Sequence, residues 1–331
     1  MKVAMVGPQY GGIGRYVSGL ARHLRQIGCS VDIYGSDAMS FSSPLDRMRS
    51  LSDAIPWAAY DLIHFQYGTY DAEQLLPVIQ HRGHCPTVCT VHSLTLELFD
   101  KLGDPEMRVA SNAAFRALDG FLFFTHYSQH EFAPSPAAAT VVTSHPPTHE
   151  HVTVPDDERQ RLLCDVGLDP SKPLVSVLGY PSRWKDPNPV LRAADSLSHV
   201  QFVIGGPWWT QRITSPSPSN VRFIDRDLEE RLFVALIESS VGLLPYRPYR
   251  SFIGSGLLPN YLSRGATCVA SAIPPLLEYL GDSPYCIDLD DSDAVSRAVS
   301  EALSSQKPTP RRDLSYSQHA EDVFAFYKAF L

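Results

Sequence analysis

Arg183 and Lys185 stand two residues apart in GYPSRWKDPNP, directly after the apolar run LVSVL. In a loop, a guanidinium fork and an ammonium point charge at that spacing can converge on one anion. The stretch SFIGSGLLPNYLSRGATCVAS, from Ser251 to Ser271, carries a second feature of the same kind. Pro259 fits the first turn of a helix but not its interior, so the spacing predicts a helix starting near Ser255 or Gly256. The first amides would then be unpaired; with the helix dipole they favour a negative group, and the Ser255 hydroxyl adds a donor. A plain serine N-cap is the structural alternative. In PQYGGIGRY, Gly11 and Gly12 let backbone amides approach a bound group closely, with Gly14 opening the helix. His92, at the end of TVCTVHS, can donate to a hydroxyl or a phosphate, or can simply be satisfied by a neighbour. Trp208 and Trp209 in GGPWWTQR can stack on a base or sugar, or pack in a core or interface.

Other chemistries fit less well. The G-x-G-x-x-G spacing of a dinucleotide loop is not met in PQYGGIGRY, and no acid closes the second strand. HRGHCPTVCTVH gathers His81, His84, Cys85, Cys89 and His92, which raises a zinc site. Cys89 lies on an apolar strand and Pro86 extends the Cys85 segment, so one tetrahedron is awkward and no metal is expected. Nucleophile-elbow, P-loop and Ser-His-Asp patterns are absent, and no carboxylate pair falls at strand ends.

The residues singled out follow apolar runs, which indicates what positions them. Val3 to Val6 reads as a strand, Ile13 to Leu24 has helical spacing, and CSVDIYG supplies a second strand, which together make a βαβ unit. DLIHFQYG (61–68), TVCTVHS (87–93), GFLFFTHYS (120–128) and ATVVTSHPP (139–147) continue the strand series. Thr148 to Pro173 turns polar and reads as an interdomain connection. A second series follows: strands at 174–180, 200–207, 221–225, 241–246 and 284–289 and in the run from Thr267, with helices in NPVLRAADSL and up to Glu238. TSPSPSN reads as a surface loop, and YSQHAEDVFAFYKAFL as a terminal amphipathic helix. Alternating strands and helices in both halves imply two doubly wound α/β domains, whose ligands bind beyond the carboxyl ends of the strands.

Bulk properties agree. A chain of 331 residues exceeds what one core organises, so two domains of roughly 150 residues are expected. A net charge of −8 without a dense basic run disfavours nucleic acid as a partner. No apolar stretch approaches the ~18 residues of a membrane span, so no stable membrane insertion is expected. Six cysteines scattered in apolar runs suggest a reduced compartment, and a cytoplasmic location is expected.

These segments, in order and over nearly the whole chain, resemble the retaining GT-B glycosyltransferases of family 4, which use nucleotide-diphosphate sugars. GGIGRYVSGLARHLRQIGCSVDIYG looks like their N-terminal glycine loop, helix and second strand. YDLIHFQYG, TVHS and THYSQHEF are similar to later N-terminal segments, RWKDPNPVLRAADSL to the phosphate-binding segment, and SGLLPNYLSRGATCVAS to the donor-site helix and strand. The resemblance implies a GT-B fold with two Rossmann-like domains whose parallel sheets face a central cleft. Residues 1–155 would form the acceptor domain, 156–312 the nucleotide-sugar domain, and 313–331 a helix crossing back to the first. It implies that Gly11, Gly12, Arg183, Lys185, Ser255, Gly256 and Leu257 surround the donor diphosphate and that His92 reaches the donor sugar, with no metal ion or other cofactor. The expected activity moves a sugar to a small-molecule or carrier-bound hydroxyl acceptor with retention, by front-face attack without a protein base. Two glutamates usual in the family's donor helix are replaced by Phe252 and Asn260. Asn260 can still hydrogen-bond a ribose, while Phe252 cannot bind a hydroxyl and would suit a deoxy sugar or a rotated pose. The alternatives are an epimerase or phosphorylase of the same fold, and a nucleotide-sugar-binding protein that has lost catalysis.

Overall fold

The computed structural model describes residues 1–9, 11–35, 54–68, 85–93, 113–132, 138–249, 254–291 and 293–331. In chain order the elements are β1 (Lys2–Val6), α1 (Gly11–Gln26), β2 (Ser30–Tyr34), β3 (Leu62–Tyr67), β4 (Thr87–Val91), β5 (Gly120–Phe123), α2 (His126–Phe132) and β6 (Ala139–Val142). They continue as α3 (Asp156–Asp165), β7 (Leu174–Leu178), α4 (Asn188–Ser196), β8 (Gln201–Gly205), α5 (Trp209–Arg212), β9 (Val221–Ile224), α6 (Glu230–Ser239) and β10 (Val241–Leu244). The last are α7 (Leu258–Leu262), β11 (Cys268–Ser271), α8 (Pro274–Leu280), β12 (Cys286–Ile287), α9 (Ala294–Ser304) and α10 (Tyr316–Lys328).

The strands form two six-stranded parallel sheets, ordered β2-β1-β3-β4-β5-β6 and β12-β11-β10-β7-β8-β9. Two compact units follow: unit one holds Met1–Thr148 with Ser315–Leu331, and unit two holds His149–Tyr249 with Ser255–Leu314. The central strands β4, β5 and β7 are buried at every position, as parallel strands covered on both faces must be. In unit one, alternate residues serve two cores. Ala4, Val6, Ile63, Phe65, Cys89 and Val91 enter one, whereas Val3, Met5, Leu62 and Val88 pack with Tyr16, Val17 and Leu20 of α1 and Val323 and Tyr327 of α10 in the other. In unit two, Val175, Val177, Phe202, Ile204 and Leu243 meet Val190 and Ala194 of α4 and Val295 and Val299 of α9.

Some boundaries depart from the sequence expectation for local reasons. The run from Gly120 leaves the strand at Phe123, not Ser128, because Thr125 and Ser128 cap a new helix. Ser128 N donates to Thr125 Oγ1 (3.0 Å), and Ser128 Oγ donates to Thr125 O (2.7 Å). The run after Ala139 leaves its strand at Val142, ahead of Pro146 and Pro147, and PYCIDL contributes only Cys286–Ile287. Helix α1 begins at Gly11, ahead of Gly14. Helices α8 and α9 add to the expected set, with Pro274 and Pro275 at the start of α8, where a missing amide is harmless.

Candidate functional site

Each sheet has a point where the strand order reverses, between β1 and β3 in unit one and between β7 and β10 in unit two. The loops leaving the carboxyl ends of those strands are where a doubly wound domain takes its ligand.

In unit two, these loops run from Gly179 to Pro187 and from Pro245 to Leu257, and an antiparallel bridge between Lys185 and Tyr246 joins them. Lys185 is 7% exposed, and its Nζ donates to Leu178 O at 2.8 Å. Around the ammonium lie the rings of Trp209 and Tyr246, with centroids 5.9 and 5.7 Å away. No carboxylate is among these partners, and burial pushes the amine down to about 7. The loop below it is tightly closed. Trp209 Nε1 donates to Gly179 O at 2.7 Å, and a Cβ on Gly206 would lie 2.4 Å from that same oxygen, so position 206 has no room for a side chain.

Arg183 takes another position. It is exposed, and its guanidinium donates to the Tyr249 hydroxyl at 3.3 Å, while Lys185 is turned inward to the end of β7. The two cations expected to converge therefore have different partners here. Arg247, another basic residue of these loops, is committed to Asp186 at 2.9 Å and to Asp290.

The helix start at Ser255 also differs from expectation. Helix α7 begins at Leu258 and is five residues long, with Pro259 in its first turn. Ser255 is 7% exposed, and its Oγ accepts from the amides of Leu257 (3.3 Å) and Leu258 (3.2 Å), so it serves as a cap and leaves those amides satisfied. The Tyr246 hydroxyl, pushed up to about 12 by burial, lies 3.1 Å from the same Oγ. Asn260 is 1% exposed, and its Nδ2 donates to Gly256 O at 2.8 Å, which turns inward the amide expected to meet a ribose. Phe252 lies outside the described residues.

Trp208 and Trp209 separate sharply. Trp209 is fully buried, whereas Trp208 is 57% exposed and adopts φ 69°, the one positive φ of a non-glycine among the described residues. Asp225, just past β9, holds this turn by accepting from Trp209 N at 3.0 Å and from the Thr210 hydroxyl. The Trp208 ring stands 5.6 Å from Tyr180, itself 38% exposed, whose hydroxyl donates to Asp227 at 2.9 Å. Two aromatic rings thus project beside the ends of β7 and β8.

In unit one, Gly11 (φ 66°) and Gly12 start a helix of sixteen residues with no acid in its first turn, and a Cβ on either would meet nothing within 4 Å. Beyond β4, His92 is half-buried, with Nε2 2.9 Å from Gln66 Oε1, and its ring meets Tyr16 (4.8 Å) and Phe124 (5.3 Å). On the same sheet face the buried polar groups pair among themselves. His64 bonds the Tyr327 hydroxyl (2.5 Å) and Thr90 (2.7 Å), and Tyr16 bonds His319 of α10 (2.7 Å). Burial holds all of these imidazoles in the neutral form: His64 falls to about 3 and His145 to about 4, and His92 and His319 fall well below their ordinary value. Trp208 was a stacking candidate from the sequence, whereas Gln66, Tyr16 and Tyr246 were not singled out. The signal for Gln66 was present: His64 and Gln66 are the only polar residues inside the run LIHFQY apart from its terminal tyrosine, and their spacing puts both on one face.

No protein-family model matches the chain, and no characterised protein matches it by sequence. Among solved structures, sucrose-phosphate synthase from Thermosynechococcus elongatus is similar with a TM-score of 0.71 and 16% identity, over 100% of this chain and 94% of its own. HepE from Anabaena, in complex with UDP and glucose, gives 0.67 and 14%, over 100% of this chain and 95% of its own. A putative UDP-N-acetylglucosamine 2-epimerase from Listeria monocytogenes gives 0.63 and 11%, over 99% and 96%. This likeness establishes the fold: two α/β units with parallel six-stranded sheets, of the GT-B type. Among the described residues, no helix is long and apolar enough to cross a membrane.

Proposed function

We propose that the protein is a glycosyltransferase that takes a nucleotide-diphosphate sugar as donor and moves the sugar to a hydroxyl acceptor. One observation carries the reading: Lys185, a buried lysine with no carboxylate partner among the described residues, stands at the switch point of a sheet whose fold is shared with UDP-binding proteins. An uncompensated buried ammonium is costly unless a ligand supplies the counter-charge, and a diphosphate does so.

In this reading, Lys185 and Arg183 meet the donor diphosphate from unit two, with Arg183 swinging from its exposed position. The Gly11 and Gly12 amides supply donors at the start of a long helix. Ser255, Gly256 and Leu257 stay in the proposal with a changed role for Ser255, whose hydroxyl keeps accepting from the amides and donates its own proton to the phosphate. Trp208, with Tyr180 beside it, is the platform for the nucleobase. His92 contacts the transferred sugar. The bond from the anomeric carbon to the leaving phosphate oxygen breaks as the acceptor oxygen bonds on the same face, and the acceptor proton passes to that phosphate. Retention follows without a protein base. The developing charge is met by the cations and amides, which is the work expected of preorganised donors, so no metal ion is assigned. Phe252 is proposed to favour a donor lacking a hydroxyl at the matching position. A location in the cytoplasm is part of the same proposal.

The epimerase reading has one support of its own, the likeness to the Listeria protein. Calorimetry with a panel of nucleotide sugars, followed by product analysis, tests the proposal. Transfer to water or an added hydroxyl acceptor with release of nucleoside diphosphate is expected. An epimerised sugar nucleotide would favour the alternative, and binding without turnover under every acceptor would favour a binding protein. A strong preference for fully hydroxylated donors would sink the role given to Phe252.

A further inference from the structure

Gln66 and His92 form a unit with chemistry of its own. Gln66 lies near the end of β3 and is 1% exposed. It pairs in register with Thr90, two residues before His92, so the two side chains share one face of the sheet. Only glycine fits beside it at position 7, since a Cβ there would come within 2.8 Å of Gln66 Cβ and 2.9 Å of its Cγ. The His92 ring is held between Tyr16, edge-on at 4.8 Å, and Phe124 at 5.3 Å, which leaves it little freedom to turn.

With the Gln66 oxygen toward the ring, His92 Nε2–H donates at 2.9 Å, and the Gln66 amide nitrogen is left buried without a hydrogen-bond partner. Both N–H donors of that nitrogen are then orphaned, whereas the reversed amide leaves over one N–H and the carbonyl oxygen, and an unpaired buried N–H is the rarer and costlier of the two. A half-turn of the terminal amide exchanges its two ends within the same space. The amide then donates to His92 Nε2, which must be bare, and the ring proton sits on Nδ1. We propose that Gln66 is a positioning residue that holds His92 as the Nδ1–H tautomer, so that His92 offers its ligand a neutral N–H donor. The neutral state is supported separately, because burial, and after it the neighbouring His145, disfavours the imidazolium. A neutral N–H suits a sugar hydroxyl or ether oxygen and adds no charge toward a phosphate. The assignment to a sugar rests on the proposed function; the tautomer does not.

The test is two-bond nitrogen–proton correlation NMR on the full-length protein with ring-labelled histidine, His92 being identified by the loss of its signals in His92→Asn. The expected spectrum shows a protonated Nδ1 and a bare, hydrogen-bonded Nε2. Gln66→Glu, read at a pH where its carboxylate is ionised and can only accept, should move the proton to Nε2 and lower kcat/KM for nucleotide-sugar turnover at least about tenfold. A wild-type proton on Nε2 overturns the proposal whatever the activity, and so does a Gln66→Glu spectrum unchanged from wild type. If the tautomer shifts as expected and no nucleotide sugar binds, the role of Gln66 stands and the glycosyltransferase reading falls.

Discussion

The carboxyl ends of the two sheets solve the problem of buried polarity in opposite ways. In unit one, histidines are paired with neutral partners, His64 with Thr90 and Tyr327, His319 with Tyr16, and His92 with Gln66, and all are held uncharged. In unit two, Lys185 has a backbone carbonyl and two ring faces and, among the described residues, nothing negative. In the proposed reading the first end meets a neutral, hydroxyl-bearing ligand and the second meets an anion. The two helix starts reverse that contrast on a smaller scale. Helix α7 has its first amides taken by Ser255, whereas the longer α1 opens on two glycines with free space above them. A serine before a helix therefore says less about anion binding than whether its own hydroxyl already uses the amides.

The largest effect that sharpens this contrast is at Lys185. Lys185→Met should abolish measurable binding of a UDP-sugar and lower turnover by about 100-fold or more, yet stabilise the free protein. The sign follows from the depressed amine, which titrates at about 7 when folded against an ordinary 10.5: between those values the unfolded chain holds a proton that the folded one lacks, and the cost of burial is fully present at and below neutral pH. Removing it should raise unfolding free energy by on the order of 4 kcal/mol, read by denaturant titration, and a destabilised Lys185→Met would break the comparison.

Next in size is Trp208. Trp208→Ala should weaken nucleotide binding about tenfold, with little change in the sugar preference, as measured by calorimetry. Unchanged affinity would remove the stacking role.

Acid should then separate the two units. Histidines held neutral by burial contribute stability above about 6.5 that is lost as pH falls toward about 3 for His64 and about 4 for His145. At pH 5 each costs about 2 kcal/mol, so unit one should unfold first on acidification, and hydrogen exchange should show opening in β3, β4 and α10 before β7 and β8. Simultaneous opening of both sheets would contradict this. The smallest effect is at Arg183, where substitution by Ala should weaken binding only about threefold, because an exposed guanidinium gains little from pairing. A loss equal to that of Lys185→Met would restore the two cations to equal rank.

How far the sequence led depended on whether a feature was set by local pattern or by side-chain competition. The fold was legible because apolar runs of strand length alternate with helical spacing in both halves, and the runs ending at Val6, Val91 and Leu178 mark central strands. The strand-end positions of Lys185 and His92 were legible because they follow such runs. Ser255 was misjudged because a hydroxyl before a helix reads alike whether it caps the amides or leaves them open, and Tyr246, which packs against it, is nine residues away in the chain. Asn260 looked available for a ribose; its inward turn is decided by the carbonyl of Gly256, a bond within one helical turn that no residue type announces. Trp208 and Trp209 could not be told apart by composition, since the backbone turn held by Asp225 sends one ring out and the other into the core.

The central claim, that Lys185 awaits a diphosphate, is tested most directly by proton uptake on binding. Calorimetry of a UDP-sugar at pH 8 in buffers of different ionisation enthalpy should show uptake of nearly one proton, since the free amine is mostly neutral there and the bound one charged, and affinity should fall as pH rises above 7. Tight binding with no proton uptake, or uptake that persists in Lys185→Met, would contradict the account.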